Sequence, residues 1–154
     1  MSHNQPVQFI FNLSQPITAN QAPLDRQMVT DPPDHKSLIK QFVGNLLGTP
    51  ILQNTYQFYD SNSLFSISLN RLPQNPTLYE LTGFDSYLRK MHELGIQTIH
   101  YTNGNVVTQP LGSDKAIISI NGDCQAGNVR CRYFLTIVIN INNYRISQVI
   151  QSFT

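Results

Sequence analysis

The sequence has no tryptophan, few charged residues and only two cysteines. Charged residues make up 12% of the 154 residues, which is about half the share of an average soluble domain. Asn and Gln fill the gap, at about a fifth of the chain. Ten Lys and Arg stand against nine Asp and Glu, and no basic run occurs. Because phosphate neutralisation supplies most of the affinity for nucleic acids, this balance argues against a dedicated nucleic-acid platform.

Cys124 and Cys131 are too few for a disulfide framework or a set of metal ligands. They flank the short connection Gln125–Arg130 and could therefore lie opposite each other in a hairpin. We expect two reduced thiols, since intracellular disulfides are rare. The N-terminus lacks the basic and apolar segments of a secretory signal, and no apolar run approaches the ~20 residues of a membrane span. We therefore expect a soluble, intracellular protein.

The chain divides into a lead-in over residues 1–33 and one domain over residues 34–154. The lead-in is rich in Pro, Gln and Asn, with one apolar island in which Val7, Phe9, Phe11 and Leu13 alternate with other residues. This island predicts a short strand or an extended strap that lies on the domain. The domain begins at Asp34, after two prolines, which is a pattern typical of a helix start.

Apolar spacing predicts helices first and strands afterwards. A helix begins near Lys36 and ends before Gly48, a short helical stretch follows over 51–59, and a third helix is capped by Thr82 and ended by Gly95. Between the second and third helix lie a strand over 64–69 and a loop that contains Pro73 and Pro76. Further strands are predicted over 97–108, 115–124, 129–141 and 144–153. This order predicts an α+β domain with helices packed on one face of an antiparallel sheet.

The predicted strand over 129–141 has two unlike faces, because side chains alternate along a strand. One face is apolar throughout and must meet the helices. The other carries Arg130, Arg132, Phe134, Thr136 and Val138. Aromatic, β-branched and Arg residues together are typical of the core of a protein interface. The alternative is that the N-terminal strap covers this face through its phenylalanines.

The last predicted strand can add to either face. Its outward set is Tyr144, Ile146 and Ile150 in one register, or Val149 and Phe153 in the other.

The order of elements resembles the nuclear transport factor 2-like fold, and the local sequence is similar to the NTF2-like domain of the nuclear RNA export factors (the TAP/Mex family). The segments that carry this likeness are Lys36 through Phe42, Phe58–Ser61, Ser66–Leu69 with Leu72–Pro76, Ser119–Gly122 and the Pro-rich stretch from Phe9 to Pro16. The resemblance implies a curved antiparallel sheet with helices packed on its concave face.

The resemblance also implies a role. In that family the domain does no chemistry, needs no cofactor or metal, and forms a heterodimer with a small NTF2-related export cofactor through its sheet. Carried over, the partner-binding residues are the five outer-face residues named above together with Asp114, an acidic loop residue that would pair with an arginine of the cofactor. A pocket for the Phe-Gly repeats of nucleoporins would involve Leu38, Ile39 and Phe42.

The implied setting is the nucleus and the nuclear pore, with shuttling to the cytoplasm and contact with RNA only through other domains. Some paralogues in the family serve nuclear small-RNA-guided silencing instead of export. Import of a small GTPase is disfavoured, because the loop Gln125–Asn128 has no acidic residue and Gln151-Ser152 replaces the usual aromatic–Arg ending.

The same fold also makes enzymes of the isomerase or dehydratase type, which place an acid or a His–acid pair inside the cup. The best set available is His100 with Tyr101 and Asp123. Against it, the inward face of the strand over 129–141 offers only Cys131 and Tyr133 as ionisable residues. The sequence also has no glycine-rich phosphate loop and no His/Cys cluster at metal spacing. We therefore expect a chain that is not an enzyme.

Overall fold

One curved, eight-stranded sheet with helices on one side organises the chain. The computed structural model describes residues 7–12, 35–70 and 77–154. In chain order the elements are β1 (Val7–Asn12), α1 (His35–Leu47), a 3-10 helix (Leu52–Phe58), β2 (Tyr59–Leu69), β3 (Thr77–Thr82), α2 (Phe84–Glu93), β4 (Ile99–Tyr101), β5 (Asn103–Leu111), β6 (Lys115–Ala126), β7 (Val129–Asn140) and β8 (Arg145–Phe153). The expected α+β class, with helices on the concave face, is confirmed.

The strands follow the order β1-β5-β6-β7-β8-β2-β3, and β4 pairs with the far end of β6. All pairings are antiparallel except β2 with β8, which is parallel, so the sheet is mixed. The parallel pair arises because the chain leaves β2 through β3 and α2 before it builds the β5–β8 meander. The last strand of that meander then returns beside β2 in the same direction.

Three parts of the sheet differ from the sequence prediction. The strand predicted over 64–69 begins earlier, at Tyr59, as β2. β3 was not predicted, because the segment after Pro76 was assigned to the loop; Pro73 and Pro76 themselves lie outside the described residues. The single strand predicted over 97–108 is two strands, since β6 pairs with β5 over its first half and with β4 over its last three residues. The α2 cap is Gly83 at φ 88°, with no side-chain cap bond, so Thr82 is not the cap.

The core lies between the helices and the concave face of the sheet. α1 contributes five buried apolar residues, and β7 contributes four in alternation: Ile39, Phe42, Val43, Leu46, Leu47, Tyr133, Leu135, Ile137 and Ile139. Phe65 and Tyr87 stack with ring centroids 4.2 Å apart. Each fully buried large apolar side chain stabilises the fold by about 1.5–3 kcal/mol. Within the part of the chain that the structure describes, no helix is long and apolar enough to span a membrane.

A β-bulge in β8 changes which of its residues face the core. Val138 pairs with Gln148, but the next residue, Ile139, pairs with Ile146, so Ser147 is an extra residue. Ile146 is consequently buried, whereas Ile150 is 49% exposed on the opposite face. Neither register predicted for this strand is therefore right as a whole, because strict alternation fails at the bulge.

The apolar island of the lead-in is strand β1, which pairs with β5 at one edge of the sheet. Phe9 and Phe11 turn towards the core, where Lys40 Nζ lies 5.5 Å from the Phe9 ring centroid. The prediction that these two rings cover the outer face is wrong. They cannot do so because the pairing register puts them on the same side as the buried Val106. Residues 1–6 and 13–34 lie outside the described residues.

Gly122 lies where the neighbour of β6 changes from β5 to β4. A Cβ atom at this position would overlap the backbone carbonyl of Asn103. That carbonyl accepts a hydrogen bond from the Tyr133 hydroxyl at 2.9 Å, and the Asn103 side chain donates to Asp123 Oδ2 at 3.1 Å. These contacts fix the backbone of Asn103 against β6, so position 122 has space only for glycine.

We expect Gly122→Ala to lower the free energy of unfolding by about 1–3 kcal/mol, because the added methyl group meets rigid backbone. Gly44→Ala is the matched control, since a Cβ there meets nothing within 4 Å. It should stabilise α1 by up to about 1 kcal/mol through helix propensity. Urea unfolding midpoints measure both effects. An unchanged midpoint for Gly122→Ala would contradict the account of the crossing.

Candidate partner-binding face and the filled cup

The face of the sheet that turns away from the helices carries several apolar side chains near its centre. In β7, Phe134, Thr136 and Val138 point to this face. Val138 lies directly opposite Ile117 of β6, and Thr136 lies opposite Ile150 of β8. We call these five residues the outer patch. Cross-strand neighbours on one face are close enough for their side chains to touch, as Val138 with Ile117 and Thr136 with Ile150 can. Phe134 follows Thr136 on the same face of β7, and its own cross-strand neighbours are the polar Asn121 and Ser152.

The outer patch is open in the structure. Phe134 is 53% exposed and Ile150 49% exposed. Ile10, Leu64 and Leu78 lie on the same face nearer the edges of the sheet and are 77%, 51% and 60% exposed, with polar residues between them and the outer patch. None of the described helices lies over this face, since all pack on the other one. Apolar residues gathered in this way on a protein surface mark an interaction site more often than scattered ones do.

Ile10, Ile117, Leu64 and Leu78 were not predicted as members of this surface, and Ile150 was predicted only in one of two alternative registers of the last strand. Each strand shows its own alternation in the sequence, but the register between strands decides which residues become neighbours. The strand that contains Leu78 was not predicted at all, and the bulge in β8 was needed to assign Ile150.

Arg130 and Arg132 continue the outer face beyond Phe134, at the end of the β6–β7 hairpin. Together with His100, Asp123 and Gln125 they line an open groove of about 580 Å³. Neither arginine forms an ion pair within 4 Å among the described residues, where Lys90–Glu93 is the only such pair. The two guanidinium groups are therefore free to bind an acceptor outside this part of the chain.

Asp114 lies at the other end of the outer patch, exposed in the turn between β5 and β6. Its backbone carbonyl accepts a hydrogen bond from the Ile141 amide at 2.8 Å, which ties this turn to the end of β7. The side chain is left to solvent. Lys115 and Arg145 flank Asn140 at this same end, and Asp123 lies opposite Arg132 at the other, so each end of the outer patch carries charges of both signs.

The three residues predicted for a Phe-Gly pocket do not line a common opening. Ile39 is 0% exposed and Phe42 7% exposed, and both belong to the core. The Phe42 ring lies against Phe58 at a centroid distance of 6.0 Å and Tyr144 at 6.2 Å. Leu38 is half-buried, so it is the member that a ligand can reach without movement of α1. The role of these residues stays a prediction.

The residues of the enzyme alternative do not come together in the cup, by which we mean the space between the helices and the concave face of the sheet. His100 is exposed on β4 opposite Gln125 and lines the outer groove with Asp123, whereas the neighbouring Tyr101 packs against the core. No hydrogen bond joins His100 to a carboxylate in the part of the chain that the structure describes. No group of three or more His, Cys, Asp or Glu side chains there could hold a metal ion.

The cup itself is filled by its own side chains. The remaining cavity has a volume of about 20 Å³ and is bordered by Tyr59, Tyr87, Tyr101 and Gln151 among others. The Tyr87 hydroxyl donates to Gln151 Oε1 at 3.0 Å, and Gln151 Nε2 donates to the Tyr101 hydroxyl oxygen at 3.2 Å. Such a space holds about one water molecule. Burial raises the pKa of Tyr59, Tyr87 and Tyr101 above the usual value, so these phenols stay protonated at neutral pH.

Solved structures with the same fold cover most of the chain. The yeast Ubp3-associated protein Bre5 aligns with a TM-score of 0.58 and 13% identity over 80% of this chain and 98% of that one. Bre5 in complex with the deubiquitinase Ubp3 aligns with a TM-score of 0.54 and 11% identity over 76% and 91%. A ketosteroid isomerase-like protein from Parabacteroides distasonis aligns with a TM-score of 0.53 and 14% identity over 82% and 92%.

These likenesses show that the fold is nuclear transport factor 2-like, as expected from the order of elements. No protein-family model matches the sequence. No curated protein matches it either. The neighbours include a protein that is solved with a protein partner and an isomerase-like protein, so the fold serves both kinds of role.

We expect stability to fall above about pH 10, because burial raises the pKa of Tyr87 and its neighbours. Below that pH both the folded and the unfolded chain hold the phenolic protons, so the titration of these tyrosines does not lower the free energy of unfolding. Above it the unfolded chain releases them first, so the free energy of unfolding drops by about 1.4 kcal/mol per pH unit for each such tyrosine. Urea unfolding at pH 9 and pH 11 measures the drop. The drop should be smaller in Tyr87→Phe; an equal drop would contradict this assignment.

Proposed function

We propose that the chain is a non-catalytic protein-binding domain that pairs, through the outer patch, with a second polypeptide of the same fold. The observation that carries the proposal is Phe134, a large aromatic side chain that is 53% exposed at the centre of the sheet. Exposed aromatic residues among β-branched neighbours are typical of interface cores and supply much of the binding energy. Burial of this ring against a partner would remove the largest exposed apolar side chain at the centre of the sheet from water.

The proposed complex is expected to have an interface of standard size. A specific complex of this kind buries on the order of 1,600 Å² in total, and the proposal puts Phe134 near its centre. Arg130 and Arg132 at one end and Asp114 at the other would then lie at the rim. Rim charges contribute little affinity, but they favour one orientation of the partner.

The filled cup supports a role without catalysis. A space of about 20 Å³ leaves no room for a substrate beside the buried tyrosines, and His100 lies outside it. The complex of Bre5 with Ubp3 is consistent with a protein-binding use of the fold. The isomerase alternative would require both an opened cup and a different position for His100.

The resemblance to the nuclear RNA export factors supports a more specific form of the proposal. The partner would be a small NTF2-related export cofactor, and the complex would act in the nucleus and at the nuclear pore in RNA export. A paralogue role in nuclear small-RNA-guided silencing would use the same surface. Leu38, Ile39 and Phe42 would serve the Phe-Gly contact if α1 moves enough to expose the last two.

We expect Phe134→Arg to abolish partner binding and leave the fold intact, because this side chain faces solvent in the chain alone. Tyr56→Arg is the matched control: Tyr56 is an aromatic residue, 67% exposed, on the 3-10 helix away from the outer patch. The wild type and both variants are used to capture proteins from a nuclear extract, and the mass of each complex is measured. Thermal unfolding checks the fold of each variant.

The expected result is one small protein, in a one-to-one complex, that the wild type and Tyr56→Arg retain and Phe134→Arg loses. If Phe134→Arg keeps its partner at full yield, the interface lies elsewhere. Catalytic turnover of a small carbonyl substrate by the wild type would contradict the non-catalytic part of the proposal.

We expect Asp114→Arg to weaken the same complex modestly, by about 0.2–1 kcal/mol, because an exposed charge pair is screened by solvent. The dissociation constant is measured at low and high salt for the wild type and the variant. The difference between them should shrink as salt rises. Equal affinity at every salt concentration would remove Asp114 from the interface.

A further inference from the structure

Cys124 and Cys131 lie directly opposite each other in the β6–β7 hairpin, and their sulfur atoms are 3.5 Å apart. Directly opposed residues of antiparallel strands have Cα atoms about 4.5–5.5 Å apart, which is within the range that a disulfide requires. A disulfide bond is about 2 Å long, so the sulfur atoms need to approach by about 1.5 Å. Side-chain rotation can supply a movement of this size.

The hairpin holds the two thiols in register. Its turn is Gly127-Asn128, with Gly127 at φ 61° and its amide donating to the Thr98 carbonyl at 2.9 Å. A shift of one residue would break this bond and the pairing along β6 and β7. Both cysteines are free in the structure, and the contact between them is the only hydrogen bond of either side chain among the described residues.

The two thiols differ in access. Cys124 is 3% exposed, whereas Cys131 is half-buried and can be approached from solvent. Burial, together with the contact to Cys131, raises the pKa of the Cys124 thiol, so this residue keeps its proton. The raised pKa makes Cys124 the slower thiol, so Cys131 is the one that meets the oxidant first. An accessible cysteine with a second sulfur 3.5 Å away has the arrangement of a redox-sensing pair, in which the second sulfur resolves the oxidised first one.

We propose that Cys124 and Cys131 form a reversible thiol–disulfide site that a hydroperoxide or glutathione disulfide oxidises. With a hydroperoxide, the Cys131 thiolate attacks the terminal peroxide oxygen, the O–O bond breaks, and the released alkoxide or hydroxide takes up a proton. The Cys124 sulfur then attacks the Cys131 sulfenic acid, the S–O bond breaks, and the hydroxyl group leaves with the Cys124 proton as water. Two thiols lose two electrons in total, and one hydroperoxide gains them.

With glutathione disulfide, the same bond forms by two exchange steps and releases two molecules of glutathione. Intracellular disulfides of this kind are transient and redox-sensing, which agrees with the free thiols in the structure. The bond would tie β7, which carries Arg130 and Arg132, to β6. Its formation does not depend on whether the outer patch binds a partner.

The test is to treat the folded wild-type chain with hydrogen peroxide or with glutathione disulfide. The chain is then alkylated under denaturing conditions and its intact mass is measured. The expected product is a monomer that takes up no alkylating groups and is lighter than the reduced chain by about 2 Da. Dithiothreitol should restore two alkylation sites. This measurement on the wild type needs no folded variant.

Two single variants separate the roles. Cys124→Ser should stop at one glutathione adduct on Cys131, and Cys131→Ser should react at least about 10-fold more slowly, because Cys124 is buried. The proposal is overturned if the oxidised wild type keeps two alkylatable thiols, gains oxygen as sulfinic acid, or forms disulfides only between chains. It is also overturned if Cys131→Ser loses its remaining thiol as fast as the wild type.

Discussion

The alternation of side chains along β7 is the constraint on which the rest of the structure depends. This strand lies in the middle of the sheet, paired with β6 along its whole length and with β8 over its second half. Its odd-numbered residues from Tyr133 to Ile139 are buried under the helices, and its even-numbered residues form the outer face. A shift of one residue would exchange the two sets. The packing of the core therefore also determines which residues lie on the outer face.

The cup and the outer face have opposite characters. In the cup, the Tyr87–Gln151–Tyr101 chain of hydrogen bonds and the stacked ring of Phe65 leave room for about one water molecule. On the outer face, Phe134 and Ile150 are half exposed and no described residue covers them. Among the residues that the structure describes, the cup side of the sheet is almost fully packed and the outer side is partly exposed. This asymmetry is the observation that supports our proposal of binding to a second polypeptide.

The hairpin of β6 and β7 connects this face with the cysteine pair. Arg132 lies opposite Asp123 on the outer face, and the next cross-strand pair is Cys124 with Cys131 on the inner side. Both depend on the short turn at Gly127-Asn128 and on the crossing at Gly122, where the sheet changes from β5 to β4. One local arrangement therefore sets the position of the two arginines and of both thiols.

The sequence by itself determined the α+β class, the helices, the long apolar alternation of β7 and the outward position of Phe134. Local periodicity carries this information, because burial repeats every two residues in a strand and every 3.6 in a helix. Only the tertiary structure decided the outward position of Ile150, the inward position of Phe9 and Phe11, and the place of Leu78 on the same face. Each of these depends on a register, a bulge or a pairing between distant segments, and such contacts leave no periodic signal in the sequence. The tertiary structure also placed His100 outside the cup, since its direction follows from the switch between β4 and β5 and not from its neighbours in the chain.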